Sequence, residues 1–278
     1  MMIERRKRLL KLLFEQRSVT VHELVEMLDS SPSTIRRDIG WLASRKLLTR
    51  RRGSAELLQE PSAPAGHPNT SFQANFMRNV EQKRAIARHA AALCVDGETI
   101  IINGGTTTFM MAEFLAEKNL TIMTNSFLTA ERLLASSESD VILTGGKVYR
   151  EQNVILSPFE NDVTEHHYAS KMFMSVFGLS LLGLIEADPL LIQAEKRLIN
   201  QAEKLIVMVD SSKFTRRAGL ILCGLRQVNT VITDTDASDA AVQWLEQSGI
   251  KVITVKPEPL PRNSDDPLVC RLIEPQHY

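Results

Sequence analysis

Near the start of the chain, apolar residues recur at helical spacing. Leu9, Leu12 and Leu13 form one stripe, Val21, Leu24, Val25 and Leu28 a second, and Ile35, Ile39 and Leu42 a third. These intervals bring side chains to one face of a helix. Thr20, with Glu23 three residues on, makes a capping box ahead of the second stripe, and Ser31 followed by Pro32 opens the third. Asp29-Ser30-Ser31 reads as the tight turn between them. Past Arg45 the pattern shortens to Leu47–Thr49, running into Arg50, Arg51, Arg52 and Gly53, a strand entering a basic wing. Three helices, a tight turn and a wing predict a winged helix-turn-helix.

The pattern changes in the body of the chain. Near-continuous apolar runs predict strands over Thr99–Asn103, Leu120–Thr124, Val141–Thr144, Met172–Phe177, Leu205–Val209, Thr230–Thr233 and Lys251–Val255. Helical segments fall at Lys83–Cys94, Thr107–Ala116, Leu128–Ser137, Ala194–Glu203 and Ser238–Gln247. This alternation predicts an α/β domain with a mostly parallel sheet and right-handed crossovers. The organisation expected is therefore a DNA-binding module over 1–58, a linker over 59–79 centred on the Pro-rich Gln59–Asn69, an α/β domain over 80–256, and a Pro-rich tail over 257–278.

Charge sharpens this division. The 278 residues sum to zero net charge, but residues 1–54 hold 13 Lys and Arg against 6 Asp and Glu, a net +7, which leaves the rest at −7. A basic module joined to an acidic body points to nucleic acid at one end. In the third helix Ser33, Thr34, Arg36 and Arg37 lie off the apolar stripe. Their hydroxyls and guanidiniums suit phosphate oxygens and guanine edges, and Arg50, Arg51 and Arg52 add a basic wing.

In the α/β domain, ligand chemistry is expected beyond the carboxyl ends of strands. After the first strand comes Asn103-Gly104-Gly105-Thr106-Thr107-Thr108, in which glycines let backbone N–H groups approach an anion at a helix N-terminus. Later turns offer Thr124-Asn125-Ser126, Gly145-Gly146-Lys147 and Asp210-Ser211-Ser212-Lys213, and Lys196 lies on a following helix. Hydroxyls, amides and lysines together suit a small phosphorylated polyol. Neither a dinucleotide fingerprint nor a P-loop is present.

Thr34-Ile35-Arg36-Arg37-Asp38, followed by Leu47-Leu48-Thr49-Arg50 and Gly53, resembles the DeoR family of bacterial sugar-metabolism regulators. The N-G-G-T-T-T, T-N-S, G-G-K and D-S-S-K turns extend the resemblance over about residues 4–255. It implies a sensor domain similar in fold to ribose-5-phosphate isomerase. The wing reads Gly53-Ser54-Ala55 where the family usually has two glycines and an alanine, and Asn103 stands where the family usually carries Asp. Asn103, Leu156-Ser157-Pro158 and the Met172-Phe173 strand are similar to the ascorbate-utilisation branch, which implies a sugar-acid or polyol phosphate effector.

The expected protein is thus a carbohydrate-operon repressor that binds double-stranded operator DNA as a homodimer or homotetramer and is released by a phosphorylated sugar or sugar acid. No cofactor or metal is expected: His166 and His167 are adjacent and diverge, and no HExxH or Cys pair accompanies them. Cys94, Cys223 and Cys270 read as ordinary cytoplasmic thiols. The apolar run Met172–Ile185 spans 14 residues, short of the roughly 20 that cross a membrane. The rival reading is a sugar-phosphate isomerase with a DNA-binding appendage. Its base would be Glu186 or Asp188, both expected as loop residues facing solvent.

Overall fold

The structure is a computed structural model, and it describes residues 5–6, 8–9, 12, 18–44, 48–51, 54–57, 72–157, 163–216 and 218–257. The described residues fall in two compact units, one within residues 1–64 and the other within 65–264.

In the first unit, residues 5–6, 8–9 and 12 are helical. They precede β1 (Ser18–Thr20), α1 (Val21–Leu28) and α2 (Pro32–Ser44), and then β2 (Leu48–Arg51) and β3 (Ser54–Leu57). The capping box forms as its spacing requires: Glu23 N–H donates to Thr20 Oγ1, and Thr20 N–H to Glu23 Oε2 at 2.8 Å. Asp29 adopts a left-handed φ of 45° that ends α1, and Thr34 N–H donates to Ser31 Oγ to start α2. The stripes meet in one small core, where Leu9, Leu24, Ile35, Ile39 and Leu42 are each at most 1% exposed. The strands form an antiparallel sheet in the order β1-β3-β2. Residues 52–53 of the wing lie outside the described residues, as does most of the linker and the tail beyond residue 257.

The second unit opens with α3 (Phe72–Phe76) and α4 (Val80–Ala92). There follow β4 (Thr99–Ile102), α5 (Thr106–Phe109), β5 (Thr121–Thr124), α6 (Phe127–Ser136) and β6 (Asp140–Leu143). A hairpin of β7 (Lys147–Tyr149) and β8 (Val154–Leu156) leads to β9 (Ala169–Met174), β10 (Gly178–Ser180) and β11 (Gly183–Glu186). The chain continues through α7 (Pro189–Asn200), β12 (Ala202–Met208), β13 (Leu220–Cys223), β14 (Thr230–Asp234), α8 (Asp239–Gln247) and β15 (Lys251–Val255).

Seven of these strands form a parallel sheet in the order β15-β14-β12-β9-β4-β5-β6. Consecutive residues Ile100, Ile101 and Ile102 are all at most 1% exposed, so both faces of the sheet are covered, as apolar parallel strands demand. Helix starts follow local chemistry: Ser126 caps α6, Ser238 caps α8, and Asp188 caps α7 ahead of Pro189. No helix among the described residues is long and apolar enough to cross a membrane.

Three expectations change. The segment expected as linker to residue 79 is folded from residue 72, because Phe72 and Phe76 are buried against Phe109 with ring centroids at 5.5 and 5.8 Å. The helix expected over Thr107–Ala116 is one α-turn that continues as a 3-10 helix over Met110–Phe114. Strands β7, β8 and β13 were not among the expected strands, and β10 and β11 lie within the apolar run Met172–Ile185. The run Met172–Ile185 divides into β9, a turn and the hairpin β10–β11, whose tip places Gly183 at φ 130°. A Cβ on Gly183 would lie 2.1 Å from the Cys223 carbonyl oxygen, so only glycine fits.

Candidate functional site: a DNA-reading helix and a ligand cavity

On α2 the five residues Thr34-Ile35-Arg36-Arg37-Asp38 divide by face. Ile35 and Asp38 point inward at 0% and 1% exposure, while Arg36 and Arg37 are exposed without an ion-pair partner among the described residues. Asp38 accepts from Arg5 Nε and Arg6 Nε, each at 2.7 Å. Arg6 also stacks over Trp41, its Cζ 4.1 Å from the ring centroid. This arrangement ties α2 to the first helical segment from beneath and leaves the two guanidiniums outward. Ser33 is exposed, and Ser33 and Thr34 both share hydrogen bonds with the Ser31 hydroxyl. The backbone of Arg50 and Arg51 lies in β2, paired with Ala55 and Ser54, and Arg52 is outside the described residues.

In the second unit, chain order reverses between β4 and β9: β5 and β6 extend the sheet to one side of β4, and the later strands to the other. Ligand clefts of open α/β sheets form at such switch points. A cavity of about 90 Å³ lies there, beyond the carboxyl ends of β4, β9 and β12. Gly104, Gly105 and Thr106 line it from β4, Ser175–Phe177 from β9, and Lys213 and Arg216 from the turn after β12. Glu186–Asp188, Leu191 and Glu195 close another side, and Phe72, Asn75 and Gln152 complete the wall. A Cβ on Gly105 would sit 2.6 Å from Ser175 Cβ, so glycine keeps the two loops in close approach.

Part of the cavity lining is cationic. Lys213 and Arg216 stand near Lys83, Arg78 and the buried carboxylate of Asp210, which accepts from Asn79 Nδ2 at 2.8 Å and from the Ser212 N–H and hydroxyl. Burial, aided by neighbouring cations, lowers Lys213 to about 8 and Lys83 to about 7. The Asp210 carboxyl is held below its ordinary value: its own burial opposes this, but Lys213, Lys83 and the hydrogen bonds outweigh it. Lys83 donates to the Asn75 carbonyl and so fastens the wall contributed by α3.

The lining also holds a cluster of carboxyl groups. Glu195 is 3% exposed, with its pKa raised well above the ordinary value by burial and by the nearby Glu186. Asn103 Nδ2 donates to Glu195 Oε1 at 3.0 Å and to the Ser175 carbonyl at 2.9 Å, while Asn103 Oδ1 accepts from Ser175 N–H. An Asp at position 103 has no amide donor for Glu195, which gives the chain's Asn a physical reason. Glu186 accepts from the N–H groups of Ala187 and Asp188, and burial raises its pKa. Glu186 and Asp188 were expected in solvent; they are 6% and 8% exposed and line the cavity.

Of the thirteen residues predicted to bind an effector, Gly104, Gly105, Thr106 and Lys213 line the cavity. Asn103, Thr108, Thr124 and Asn125 are buried beside it as supports: Thr108 Oγ1 donates to the Asn103 carbonyl, Ser126 N–H to Thr124 Oγ1, and Gly104 N–H to Asn125 Oδ1, while Thr107 is buried with its hydroxyl unpartnered. That last bond occupies an N–H expected to face an anion. The single turn of α5 also carries little of the dipole expected there. Gly145, Gly146, Lys147 and Lys196 lie elsewhere. The first three lead into the β7–β8 hairpin after β6, two strands from β4, and Lys196 is exposed on α7. Gly146, at φ 141°, lets the hairpin close on Leu156, whose carbonyl oxygen would be 2.3 Å from an added Cβ.

Ser175, Gln152, Glu195, Arg216 and the α3 residues went unpredicted because strand order brings them together and spacing does not. Among the described residues no cluster of His, Cys, Asp and Glu could hold a metal ion. Cys94 and Cys223 are buried free thiols, raised by burial to about 12 and about 11.

A winged helix-turn-helix with an outward arginine pair, joined to an α/β unit that holds a charged cavity, defines a DNA-binding regulator. Two family descriptions match: the DeoR-like helix-turn-helix domain over residues 5–60 and the DeoR C-terminal sensor domain over 78–235. The HTH-type transcriptional regulator UlaR of Shigella sonnei (strain Ss046) is 35% identical over 254 residues, covering 91% of this chain and 98% of that protein. The protein of that name from Shigella flexneri is 34% identical over the same spans. The chain belongs to the DeoR family, and it is a DNA-binding transcriptional regulator, not an enzyme. Weaker likenesses are to ribose 5-phosphate isomerase A from Methanocaldococcus jannaschii (18% identity, TM-score 0.37, 49% of this chain and 55% of that one). Another is eIF2B beta from Chaetomium thermophilum (12% identity, TM-score 0.39, 55% of this chain and 48% of that one).

Proposed function

We propose that this regulator is a cytoplasmic homo-oligomeric repressor of a carbohydrate-utilisation operon, released from its operator by a phosphorylated sugar, sugar acid or polyol. The observation that carries this reading is the mixed charge of the cavity lining, in which Lys213 and Arg216 share the wall with Glu186, Asp188 and Glu195. The paired cations Lys213 and Arg216 attract a phosphate or carboxylate, and clustered carboxyl groups suit hydroxyls. Arg36 and Arg37 contact bases or phosphates of the operator, with the wing arginines 50–52 on the backbone, so affinity falls steeply with salt. A dimer sets two recognition helices at the spacing of operator half-sites.

Coupling between effector and DNA follows from what walls the cavity. The cavity, at about 90 Å³, is small beside ligand pockets of about 300 Å³ and more, and the coupling proposed has the effector displace part of its wall. The wall in question is Phe72 and Asn75 of α3 with Gln152 of the hairpin turn, where Phe72 N–H donates to the Glu151 carbonyl. Helix α3 follows directly on the linker, so displacing it biases the DNA-binding arrangement. The test is fluorescence-anisotropy binding to DNA upstream of the protein's own operon, with ribose 5-phosphate, 6-phosphogluconate and ascorbate 6-phosphate as competitors. Release by one of them supports the reading. Salt-dependent binding indifferent to all of them refutes a phosphosugar effector.

A further inference from the structure

Glu195 stands out among the buried polar groups. Its side chain lines the cavity at 3% exposure, its Oε1 accepts from Asn103 Nδ2, and its Oε2 has no hydrogen-bond partner in the protein. A buried carboxyl oxygen left unpaired carries a substantial desolvation cost, and polar atoms of this kind are characteristic of sites completed by a ligand. The two oxygens are not equivalent. Both hydrogens of the Asn103 amide are already used, one on Glu195 and one on the Ser175 carbonyl. Oε1 is therefore fixed as an acceptor, and the proton of a neutral carboxylic acid falls on Oε2. Burial and the facing carboxyl of Glu186 both favour that neutral form. Lys213 and Arg216 line the same cavity.

We propose that Glu195 is the specificity-determining residue of the sensor: its Oε2–H donates to an acceptor oxygen (carbonyl, lactone or hydroxyl) at the non-phosphate end of an effector whose anionic group sits at Lys213 and Arg216. This rests on the reading of the cavity as a phosphosugar site. Asn103 is the positioning residue that fixes which oxygen donates. The arrangement selects ligands by the acceptor oxygen they present to the Glu195 Oε2–H.

The test compares the full chain with Glu195→Gln and Glu195→Leu in calorimetric titrations against inorganic phosphate and the three phosphate esters. In the Gln variant Oε1 still accepts from Asn103 and the amide nitrogen still donates, so ester affinity stays within about threefold of the parent. The Leu variant loses about ten- to a hundredfold for the preferred ester, the worth of one buried hydrogen bond. Phosphate alone, which reaches only Lys213 and Arg216, binds both variants as it binds the parent. Loss of phosphate binding together with the ester means that Glu195 serves only the fold, and overturns the proposal. Equal weakening in the Gln variant means that Oε2 acts as an acceptor, and also overturns it. If no ester binds the parent chain, the phosphosugar reading itself fails and takes this one with it.

Discussion

Replacing Asp38 with Ala tests whether α2 is held by its buried ion pairs. Asp38 is 1% exposed and accepts two 2.7 Å bonds, from Arg5 and from Arg6. Arg5 can turn to water, since its side chain keeps 20% of its exposure. Arg6, at 7% and packed over Trp41, cannot. The substitution therefore strands a buried guanidinium, and breaking a buried pair in this way costs about 3–5 kcal/mol. A module of this size has total stability on the order of only 3–9 kcal/mol. Each kcal/mol moves Tm by about 4–8 °C in a small domain, so the loss corresponds to a fall of at least about 12 °C. The chain has two tryptophans, Trp41 in the first unit and Trp244 in the second. In a Trp244→Phe background, thermal unfolding followed by fluorescence reports the DNA-binding module. A fall below about 4 °C, equivalent to under about 1 kcal/mol, would refute the argument that the pair is buried and exclusive.

Other expectations follow from the same geometry. Arg36→Ala or Arg37→Ala weakens operator binding by about 1–3 kcal/mol without shifting the melt of either unit, because both side chains are exposed; a large change in Tm would contradict this. Gly105→Ala places a Cβ 2.6 Å from Ser175 Cβ, costing about 1–3 kcal/mol of overpacking; anisotropy should show operator binding retained and effector release lost. Lys83 has a folded pKa of about 7, lowered from 10.5 by burial. The unfolded chain thus binds more protons over that window, and stability rises with pH between about 7 and 10.5. Lys83→Met removes that part of the pH dependence in urea melts, and identical slopes for the two proteins would contradict the burial of the amine.

The DNA-binding module was largely legible in the sequence because its determinants are local. Caps, helical stripes and outward arginines all act within a few residues, and α1 and α2 formed where Thr20, Glu23 and Ser31 placed their starts. The sensor's strands were equally plain wherever apolar runs such as Ile100–Ile102 cross a sheet covered on both faces. What spacing could not supply was strand order. Four glycine- or hydroxyl-bearing turns stood as candidates along the chain, the one at Asn103–Thr108 foremost. The switch point between β4 and β9 selects those after β4 and β12, and leaves Gly145–Lys147 outside the cavity. Glu195 illustrates the limit most clearly. Its partner Asn103 is 92 residues away in sequence, and Asn103 in turn bonds Ser175 across 72 residues; a helical Glu beside Lys196 gives no sign that one faces inward and the other out.

The central claim is that one cavity controls DNA binding through an anion held by Lys213. It is tested most directly by Lys213→Met in operator anisotropy, titrated with the ester that releases the parent chain. The account predicts operator affinity equal to the parent's and release shifted to at least tenfold higher ester, as expected for losing a charge-assisted contact of about 1.5–3 kcal/mol. Release at unchanged concentration would place the effector elsewhere and contradict the account.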